Sequence, residues 1–177
     1  LRAEALGIEL QRLRPEVARH AVRYRLAPET RFPGAVEDCY SVLAWLHGEA
    51  RALGIDPARI AIGGESAGGG HAAMLAFLAR DRREFPVAHQ QLIYPMLDDR
   101  TGSSRLALPH TGDYVWTAAS NRHGWEALLG MTPGTDDVPS AAVPARRTDL
   151  AGLPPTFIAS GALDLFVGEN LAHAARL

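Results

Sequence analysis

Apolar residues in the first third of the chain recur at the spacing of an α-helix. The stripe consists of Val36, Cys39, Leu43, Leu46, Ala50 and Leu53. Intervals of three or four residues place all of these side chains on one helical face, which packs against a core. Gly54 and the turn-forming pair at residues 56–57 follow the stripe. The pattern therefore predicts a helix that starts just after Pro33 and Gly34 and ends at Gly54.

Short apolar runs without charge alternate with helical patterns further along the chain. The runs lie at residues 60–63, 91–94 and 156–159. Uncharged runs of this length are typical of strands buried on both faces, and strands that alternate with helices indicate a parallel sheet. Helices are predicted at residues 72–80 and from 172 to 177. The expected fold is α/β, with a mostly parallel sheet and helices on both of its faces.

Two stretches fit this alternation poorly. Residues 95–155 are rich in Gly, Pro, Ser and Asp, and a stretch of that length is usually functional or mobile. Residues 1–23 carry five arginines and no clean strand, although residues 19–23 should form a central strand if the rest of the interpretation holds. All 18 basic residues are arginine, as in GC-rich coding sequences. We therefore hypothesise a shifted reading frame or damaged gene end at the N-terminus, which resequencing to one uninterrupted frame would refute.

Composition narrows the class of protein. The chain has 177 residues, 47% of them apolar and 21% charged, which suits one soluble domain. The net charge of −2 gives no reason to expect nucleic acid as a partner, and no apolar run is long enough to span a membrane. The lone cysteine, Cys39, excludes an internal disulfide and a cysteine-rich zinc site, and we expect a buried thiol. No secretory signal pattern is visible, but a missing true N-terminus would hide one, so the compartment stays open and cytoplasmic is the working expectation.

A candidate nucleophile lies between a predicted strand and a predicted helix. Residues 64–68 read Gly-Glu-Ser-Ala-Gly, the G-x-S-x-G pattern. In a strand–turn–helix context this pattern holds the serine on a strained turn with its Oγ exposed above the sheet. Gly64 and Gly68 are expected because a Cβ at either position would collide with its neighbours. Ser66 is therefore the predicted nucleophile, and a glycine-rich turn without chemistry is the alternative.

A serine nucleophile needs a base and an acid that orients the base. In this fold the acid follows the serine in sequence and lies just past a later strand. Asp164 comes directly after the run at residues 156–159 and is the predicted acid, with a turn-forming aspartate as the alternative. Glu169 is expected to open the last helix. Three rivals precede that strand and so fall at the wrong end of the sheet: Asp136, Asp137 and Asp149.

The motifs form a recognisable string. They are Tyr-Arg-Leu-Ala-Pro-Glu at residues 24–29, Phe-Pro at 32–33, Glu-Asp at 37–38, the serine motif at 64–69, Leu-Ile-Tyr-Pro at 92–95, Gly-Trp at 124–125, Leu-Gly at 129–130 and Leu-Asp-Leu at 163–165. Together they resemble the hormone-sensitive-lipase-like family of bacterial esterases, from about Tyr24 to Leu177.

The resemblance implies an α/β-hydrolase fold and hydrolysis of small carboxylic esters with short acyl chains through an acyl-enzyme. It implies no cofactor and no metal. Ser66 would be the nucleophile, Asp164 would orient the catalytic histidine, and the Ala67 amide would donate to the oxyanion. The supporting and pocket residues implied are Gly64, Glu65 and Gly68 around the serine, and Trp116 and Trp125 near the substrate.

The chain departs from the family pattern in two places. No His-Gly-Gly loop precedes residues 24–29, and the glycines before His71 belong to the predicted helix after the serine. Only His173 follows Asp164, and we expect it to be a surface residue rather than the base. The remaining histidines have no metal-ligand spacing and are predicted to be structural or solvated: His20, His47, His71, His89, His110 and His123.

These departures lead to an expectation about the chain as a whole. We expect residues 1–23 to be a poorly matching N-terminal segment and residues 24–177 a partial α/β-hydrolase catalytic domain, incomplete at both ends and nearly inactive. One alternative is a non-catalytic remnant or a binding fragment of such a hydrolase. Another, a serine peptidase of the same fold, would require an accessory domain, and none is visible in the sequence. The oligomeric state is left open.

Overall fold

A computed structural model describes the backbone of residues 8–14 and 17–177 and the side chains from residue 18 onward. In chain order the elements are β1 (Ile8–Arg14), β2 (Val17–Val22), α1 (Gly34–Gly48), α2 (Ala50–Leu53), β3 (Ala61–Glu65), α3 (Ala67–Arg82), β4 (His89–Ile93), α4 (Ala118–Leu129), β5 (Thr156–Ala159) and α5 (Val167–Ala174). Three of the strands lie within two residues of their predicted bounds. The helix predicted after Gly34 is divided at Glu49 into α1 and α2.

The central sheet is parallel, in the order β3-β4-β5. Gly64, Leu92 and Ile158 pair across it in one row, which α3 covers, and Leu92 is fully buried there. The neighbouring row consists of Gly63, Gln91 and Phe157, whose side-chain positions point to the opposite face, and all three are exposed. The predicted burial on both faces is therefore wrong for this part of the chain, where helices cover one face of the sheet and leave the other open.

The apolar stripe of α1 packs against α3. Tyr40 and Leu43 of α1 meet Leu75 of α3 in one cluster, to which Ile60 contributes from the start of β3. Cys39 lies at the edge of that cluster, and burial raises the pKa of its thiol to about 11. The thiol is therefore protonated and unreactive at neutral pH.

A helix lies within the stretch that the sequence pattern described poorly. Helix α4 begins after Thr117, whose Oγ1 accepts a hydrogen bond from the Ser120 amide at 3.2 Å, and ends at Gly130 with φ of +70°. Trp125 and Leu128 face inward from it. Residues 95–155 thus pack around a buried aromatic side chain, although the stretch is rich in Gly, Pro, Ser and Asp.

Ion pairs of buried carboxylates join distant parts of the same stretch to one another. Asp99 is fully buried and accepts two hydrogen bonds from the Arg146 guanidinium, at 2.7 and 2.9 Å, and one from the Gly134 amide at 2.6 Å. Asp98 is buried beside it and pairs with Arg100 and Arg105. Each buried carboxylate is paired with at least one guanidinium, which offsets the cost of removing its charge from water.

Replacing Arg146 with alanine is expected to lower the free energy of unfolding by about 3 kcal/mol, because the Asp99 carboxylate would stay buried without its cation. The exposed pair between Glu37 and Arg82 provides the control. Glu37→Ala is expected to cost less than about 1 kcal/mol. Urea unfolding followed by circular dichroism measures both, and equal losses would contradict the difference in burial.

The N-terminal strands form a separate antiparallel hairpin. β1 and β2 pair from Ile8 opposite Val22 onward, and His20 lies edge-on to the Trp45 ring of α1 with ring centroids 6.0 Å apart. The strand expected at residues 19–23 is therefore present at Val17–Val22, but it is not a central strand of the parallel sheet, and its Arg19 is exposed. Residues 1–7 and 15–16 of the N-terminal segment lie outside the described residues. The boundary at residue 23 and the reading-frame hypothesis stay predictions.

Helix α5 differs from its prediction in both position and burial. It starts at Val167, five residues before the predicted start at residue 172, and ends at Ala174. His173 is 2% exposed, so the prediction of a surface residue is wrong. Burial, and in smaller part the charge of Arg176, lowers the pKa of His173 to about 4 and keeps the imidazole neutral. Among the described residues, no helix has both the length and the apolar character needed to cross a membrane.

Candidate active site

Ser66 lies on the turn between β3 and α3, in a backbone conformation that a non-glycine residue rarely adopts. Its φ is +52° and its ψ is −122°. Three backbone hydrogen bonds hold it there: its N–H donates to the Ile93 carbonyl at 3.0 Å, and its carbonyl accepts from the amides of Gly70 at 3.1 Å and Met96 at 3.0 Å. Strain of this kind persists where the surrounding structure determines the conformation, as at functional turns.

Glycines allow the strand and the helix to approach each other at this turn. A Cβ on Gly64 would lie 2.3 Å from the Gly68 carbonyl oxygen, and one on Gly70 would lie 2.4 Å from the Met96 carbonyl oxygen. Gly68 differs, since no atom outside its chain neighbours and its own helix backbone lies within 4 Å of its hypothetical Cβ. The expected collision therefore occurs at Gly64, whereas at Gly68 that expectation is wrong in the described part of the chain.

The N-terminus of α3 points its free amides toward the serine. Ala67 is the first residue of α3 and is exposed, and the first amides of a helix lack acceptors within the helix. A developing negative charge beside Ser66 would therefore meet unpaired N–H donors and the positive end of the helix dipole. His71 lies one turn further along α3. Its ring is edge-on to that of Tyr24, with the ring centroids 4.8 Å apart, and burial lowers the pKa of His71 to about 4.

Asp164 lies at the same edge of the sheet as Ser66. Glu65, Ile93 and Ala159 pair across the carboxyl ends of the three parallel strands, and Ser66 and Asp164 follow the two outer strands. One Asp164 carboxylate oxygen, Oδ1, accepts a hydrogen bond from the Phe166 amide at 2.7 Å, and the side chain is half-buried. Ligands in open α/β sheets bind at this carboxyl edge.

Tyr94 lies between these two residues, and the sequence analysis predicted no role for it. It directly follows the central strand β4, with φ of +36°, and its hydroxyl donates to Glu65 Oε2 at 3.2 Å. The negative charge of Glu65 and this hydrogen bond raise the pKa of Tyr94, with a smaller contribution from Asp164. Glu65 itself is exposed. The Leu-Ile-Tyr-Pro motif at residues 92–95 is the sequence signal from which this tyrosine could have been identified.

The rival acids have other surroundings. Asp149 pairs with Arg80 and Arg147, and these guanidinium groups hold its pKa well below its usual range. Asp136 and Asp137 are exposed and precede β5. Glu169 is buried in the first turn of α5.

The two tryptophans expected near the substrate occupy different environments. Trp116 is 38% exposed, and its indole N–H donates to Asn121 Oδ1 at 3.3 Å. Trp125 is fully buried in the cluster that contains Phe166 and Met74. Its side chain is part of the core in this arrangement, whereas Trp116 is accessible, and a substrate contact of either tryptophan stays a prediction.

A pocket of about 840 Å³ lies at the opposite edge of the sheet. Its lining includes Val87 just before β4, Pro154 just before β5, and Arg80. These positions precede the strands, whereas Ser66 and Asp164 follow them, so this pocket is not the site of the predicted chemistry. Among the described residues, no group of His, Cys, Asp and Glu side chains could hold a metal ion.

Comparison with known proteins agrees with this geometry. Residues 15–177 match the family model for the alpha/beta hydrolase fold. The chain is 36% identical over 163 residues to carboxylesterase NlhH of Mycobacterium tuberculosis, covering 89% of this chain and 49% of that protein. It is 35% identical over 161 residues to esterase LipI of the same organism, covering 89% and 48%.

Solved structures give the same result. A bacterial heroin esterase superposes with a TM-score of 0.84 at 45% identity, covering 90% of this chain and 51% of that one. An esterase from Pyrobaculum calidifontis gives 0.80 at 34% identity, covering 90% and 52%. The chain spans about half the length of the curated relatives it matches. The chain belongs to the α/β-hydrolase family, in its hormone-sensitive-lipase-like branch.

Proposed function

We propose that this protein hydrolyses small carboxylic esters through an acyl-enzyme on Ser66, with Asp164 as the acid of the triad. The observation that carries the proposal is the strained Ser66 turn at the N-terminus of α3, at the same sheet edge as Asp164. The chain's similarity to proteins named carboxylesterase and esterase supports the reaction class.

The residues have distinct roles in the proposed reaction. The Ser66 Oγ attacks the ester carbonyl, and the carbonyl oxygen becomes an oxyanion that accepts a hydrogen bond from the Ala67 amide. An imidazole takes the serine proton and passes it to the leaving alcohol, after which water releases the acid by the reverse sequence. Asp164 orients that imidazole. Glu65 orients the hydroxyl of Tyr94 beside the acid, and the exposed Trp116 is the proposed contact for the acyl or alcohol group.

The catalytic histidine that should provide this imidazole is not found at the position expected for it after Asp164. His173 is the histidine that follows Asp164, and it is buried in α5 with its pKa lowered to about 4. Without a base the serine is a weak nucleophile at neutral pH. The 177-residue chain alone is therefore expected to be nearly inactive.

Hydrolysis of p-nitrophenyl acetate and butyrate by two forms of the protein tests the proposal. One form is this chain, and the other is extended into both flanking coding regions. The extended form is expected to hydrolyse both esters, and Ser66→Ala is expected to reduce its kcat at least a thousandfold. Asp164→Asn is expected to reduce kcat by at least a hundredfold while leaving the fold intact.

The outcomes separate esterase from remnant. Robust Ser66-dependent hydrolysis by the 177-residue chain would contradict the expected inactivity but support the esterase assignment. If neither form reacts with any ester or with a fluorophosphonate probe, the non-catalytic alternative stands instead. A cytoplasmic location stays a prediction that fractionation of the producing cells would test, and the net charge of −2 supports no polyanionic partner.

A further inference from the structure

The first turn of α5 carries two polar residues that are almost completely buried. Glu169 is 3% exposed and Asn170 is 2% exposed. Buried polar side chains cost free energy unless they bind partners, so the partners of these two residues indicate what they do.

Both side chains bind the same short segment, residues 95–98, which follows β4. Glu169 Oε1 accepts hydrogen bonds from the amides of Leu97 at 2.7 Å and Asp98 at 3.1 Å. The Asn170 amide group donates to the Pro95 carbonyl at 2.7 Å. Three of the four residues of the segment, Pro95, Leu97 and Asp98, are therefore hydrogen-bonded to α5 through their backbone atoms.

The same segment supports the nucleophile turn on its other side. The Met96 amide donates to the Ser66 carbonyl at 3.0 Å. Pro95 and Met96 also pack closely on the first turn of α3, where a Cβ on Gly69 would lie 2.9 Å from Pro95 Cβ. A shift of the segment would therefore shift the Ser66 turn.

Helix α5 in turn is continuous with the acid loop. Asp164 Oδ1 accepts from the Phe166 amide at 2.7 Å, and the Asp164 carbonyl accepts from the Val167 amide at 3.2 Å. The acid thus forms the turn that leads into α5, and Glu169 lies five residues after it. An unbroken path of hydrogen bonds runs from Asp164 through α5 and residues 95–98 to Ser66.

We propose that Glu169 and Asn170 are positioning residues that fasten residues 95–98 to α5 and thereby fix the separation between Ser66 and Asp164. The proposal rests on the proposed function, in which these two residues belong to one catalytic site. Errors of about 1 Å in such a separation reduce catalysis about a hundredfold.

The chemistry of the contact requires an acceptor rather than a charge. Burial raises the pKa of Glu169 to about 8, so the carboxyl is mainly neutral at pH 7, and its Oε1 accepts both amide hydrogen bonds. A glutamine has the same shape and presents a carbonyl oxygen to the two amides. Glu169→Gln should therefore preserve the contact, whereas Glu169→Ala removes it.

Amide hydrogen exchange measured by NMR on the 177-residue chain tests the proposal without requiring activity. The readout is the protection of the Met96 amide divided by that of the Leu92 amide in the central strand β4. The ratio is expected to fall at least tenfold in Glu169→Ala and to stay within twofold of the parent in Glu169→Gln. Asn170→Ala, which removes the donor to Pro95, is expected to lower it at least threefold and serves if Glu169→Ala does not fold.

A matched destabilised variant separates positioning from general stability. Leu43 is 2% exposed in the cluster between α1 and α3, away from this path, so Leu43→Ala lowers the protection of both amides and leaves their ratio within twofold. The proposal is overturned if the ratio is unchanged in Glu169→Ala and Asn170→Ala, if Leu43→Ala reproduces the fall, or if Glu169→Gln fails to restore it.

Kinetics provide the second readout in whichever form of the protein shows Ser66-dependent hydrolysis. Glu169→Ala is expected to lower kcat at least tenfold with a change in KM below threefold, and Glu169→Gln is expected to restore kcat. An unchanged kcat would overturn the positioning role even with the exchange result in hand. Absence of Ser66-dependent hydrolysis in every form contradicts the proposed function, and the exchange ratio then decides the structural part alone.

Discussion

Replacing Gly64 with alanine is expected to destroy the nucleophile turn and to lower the free energy of unfolding by at least about 4 kcal/mol. The added Cβ would lie 2.3 Å from the Gly68 carbonyl oxygen, 2.4 Å from its carbonyl carbon and 2.8 Å from the Gly69 nitrogen. All three are backbone atoms of α3, so no side chain can rotate away, and the start of the helix must separate from β3. Urea unfolding followed by circular dichroism measures the loss.

Gly68→Ala is the matched control, four residues away in the same motif. Nothing outside its chain neighbours and its own helix backbone lies within 4 Å of its hypothetical Cβ, and alanine favours a helix over glycine by about 1 kcal/mol. This variant is therefore expected to be as stable as the parent or slightly more stable. Equal destabilisation by the two substitutions would show that glycine flexibility, rather than the close approach at Gly64, determines the turn.

Glu169→Gln is expected to remove a large pH dependence of stability. The pKa of Glu169 is raised to about 8 in the folded protein from 4.5 as its ordinary value, chiefly by burial and in smaller part by the charge of Asp98. A raised pKa means that the folded state holds the proton more tightly, so the stability this group contributes is fully present below pH 4.5 and is lost as the pH rises to 8. The total loss is on the order of 5 kcal/mol.

The difference in unfolding free energy between Glu169→Gln and the parent isolates this effect. It should grow in favour of the glutamine variant from pH 5 to pH 8 and remain constant above pH 8. Burial lowers the pKa values of His71 and His173 to about 4, which makes stability rise with pH between about 4 and 6.5, but both residues are present in both proteins and cancel. Urea titrations at intervals of one pH unit give the curve, and a pH-independent difference would contradict the buried neutral carboxyl.

The sequence predicts correctly those elements whose residues form one uninterrupted apolar run or one specific motif. β5 is predicted at its observed bounds, Thr156–Ala159, because the run is short, apolar and uncharged and prolines precede it. Ser66 was predicted from a motif that the strand–turn–helix geometry makes specific, and it lies on that turn. The site assignments for Ser66 and Asp164 nevertheless stay proposals, because their separation and their reaction require measurement.

The hydrophobic pattern does not predict the helices that bury polar side chains. Helix α4 buries Asn121, Trp125 and Leu128, and only two of these are apolar, so the stripe was too short to see, although Thr117 and Gly130 mark its ends. Helix α5 buries Glu169, Asn170 and His173, which a search for apolar spacing assigns to solvent. The burial of polar groups depends on partners that are distant in sequence, such as Leu97 and Asp98, and pattern alone does not reveal them.

The burial of β3 and β5 was overestimated for a related reason. An uncharged run is equally compatible with burial on one face or on two, and glycine and alanine carry no information about which. Gly63 and Phe157 are exposed in a row that includes Gln91. The sequence gives the face of each residue relative to its neighbours, whereas the number of covering layers depends on what packs there.

The open face of the sheet and the position of β3 at its edge affect the tendency of the chain to aggregate in solution. The outer side of β3 presents backbone N–H and C=O groups without a neighbouring strand in the described residues, and Glu65 is the one charged residue among its five. Natural sheets protect such edges with charges, prolines or bulges, because an unprotected edge pairs with another chain. With a net charge of only −2 to keep molecules apart, turbidity should rise steeply with concentration, and solutions of the purified chain will keep best when dilute.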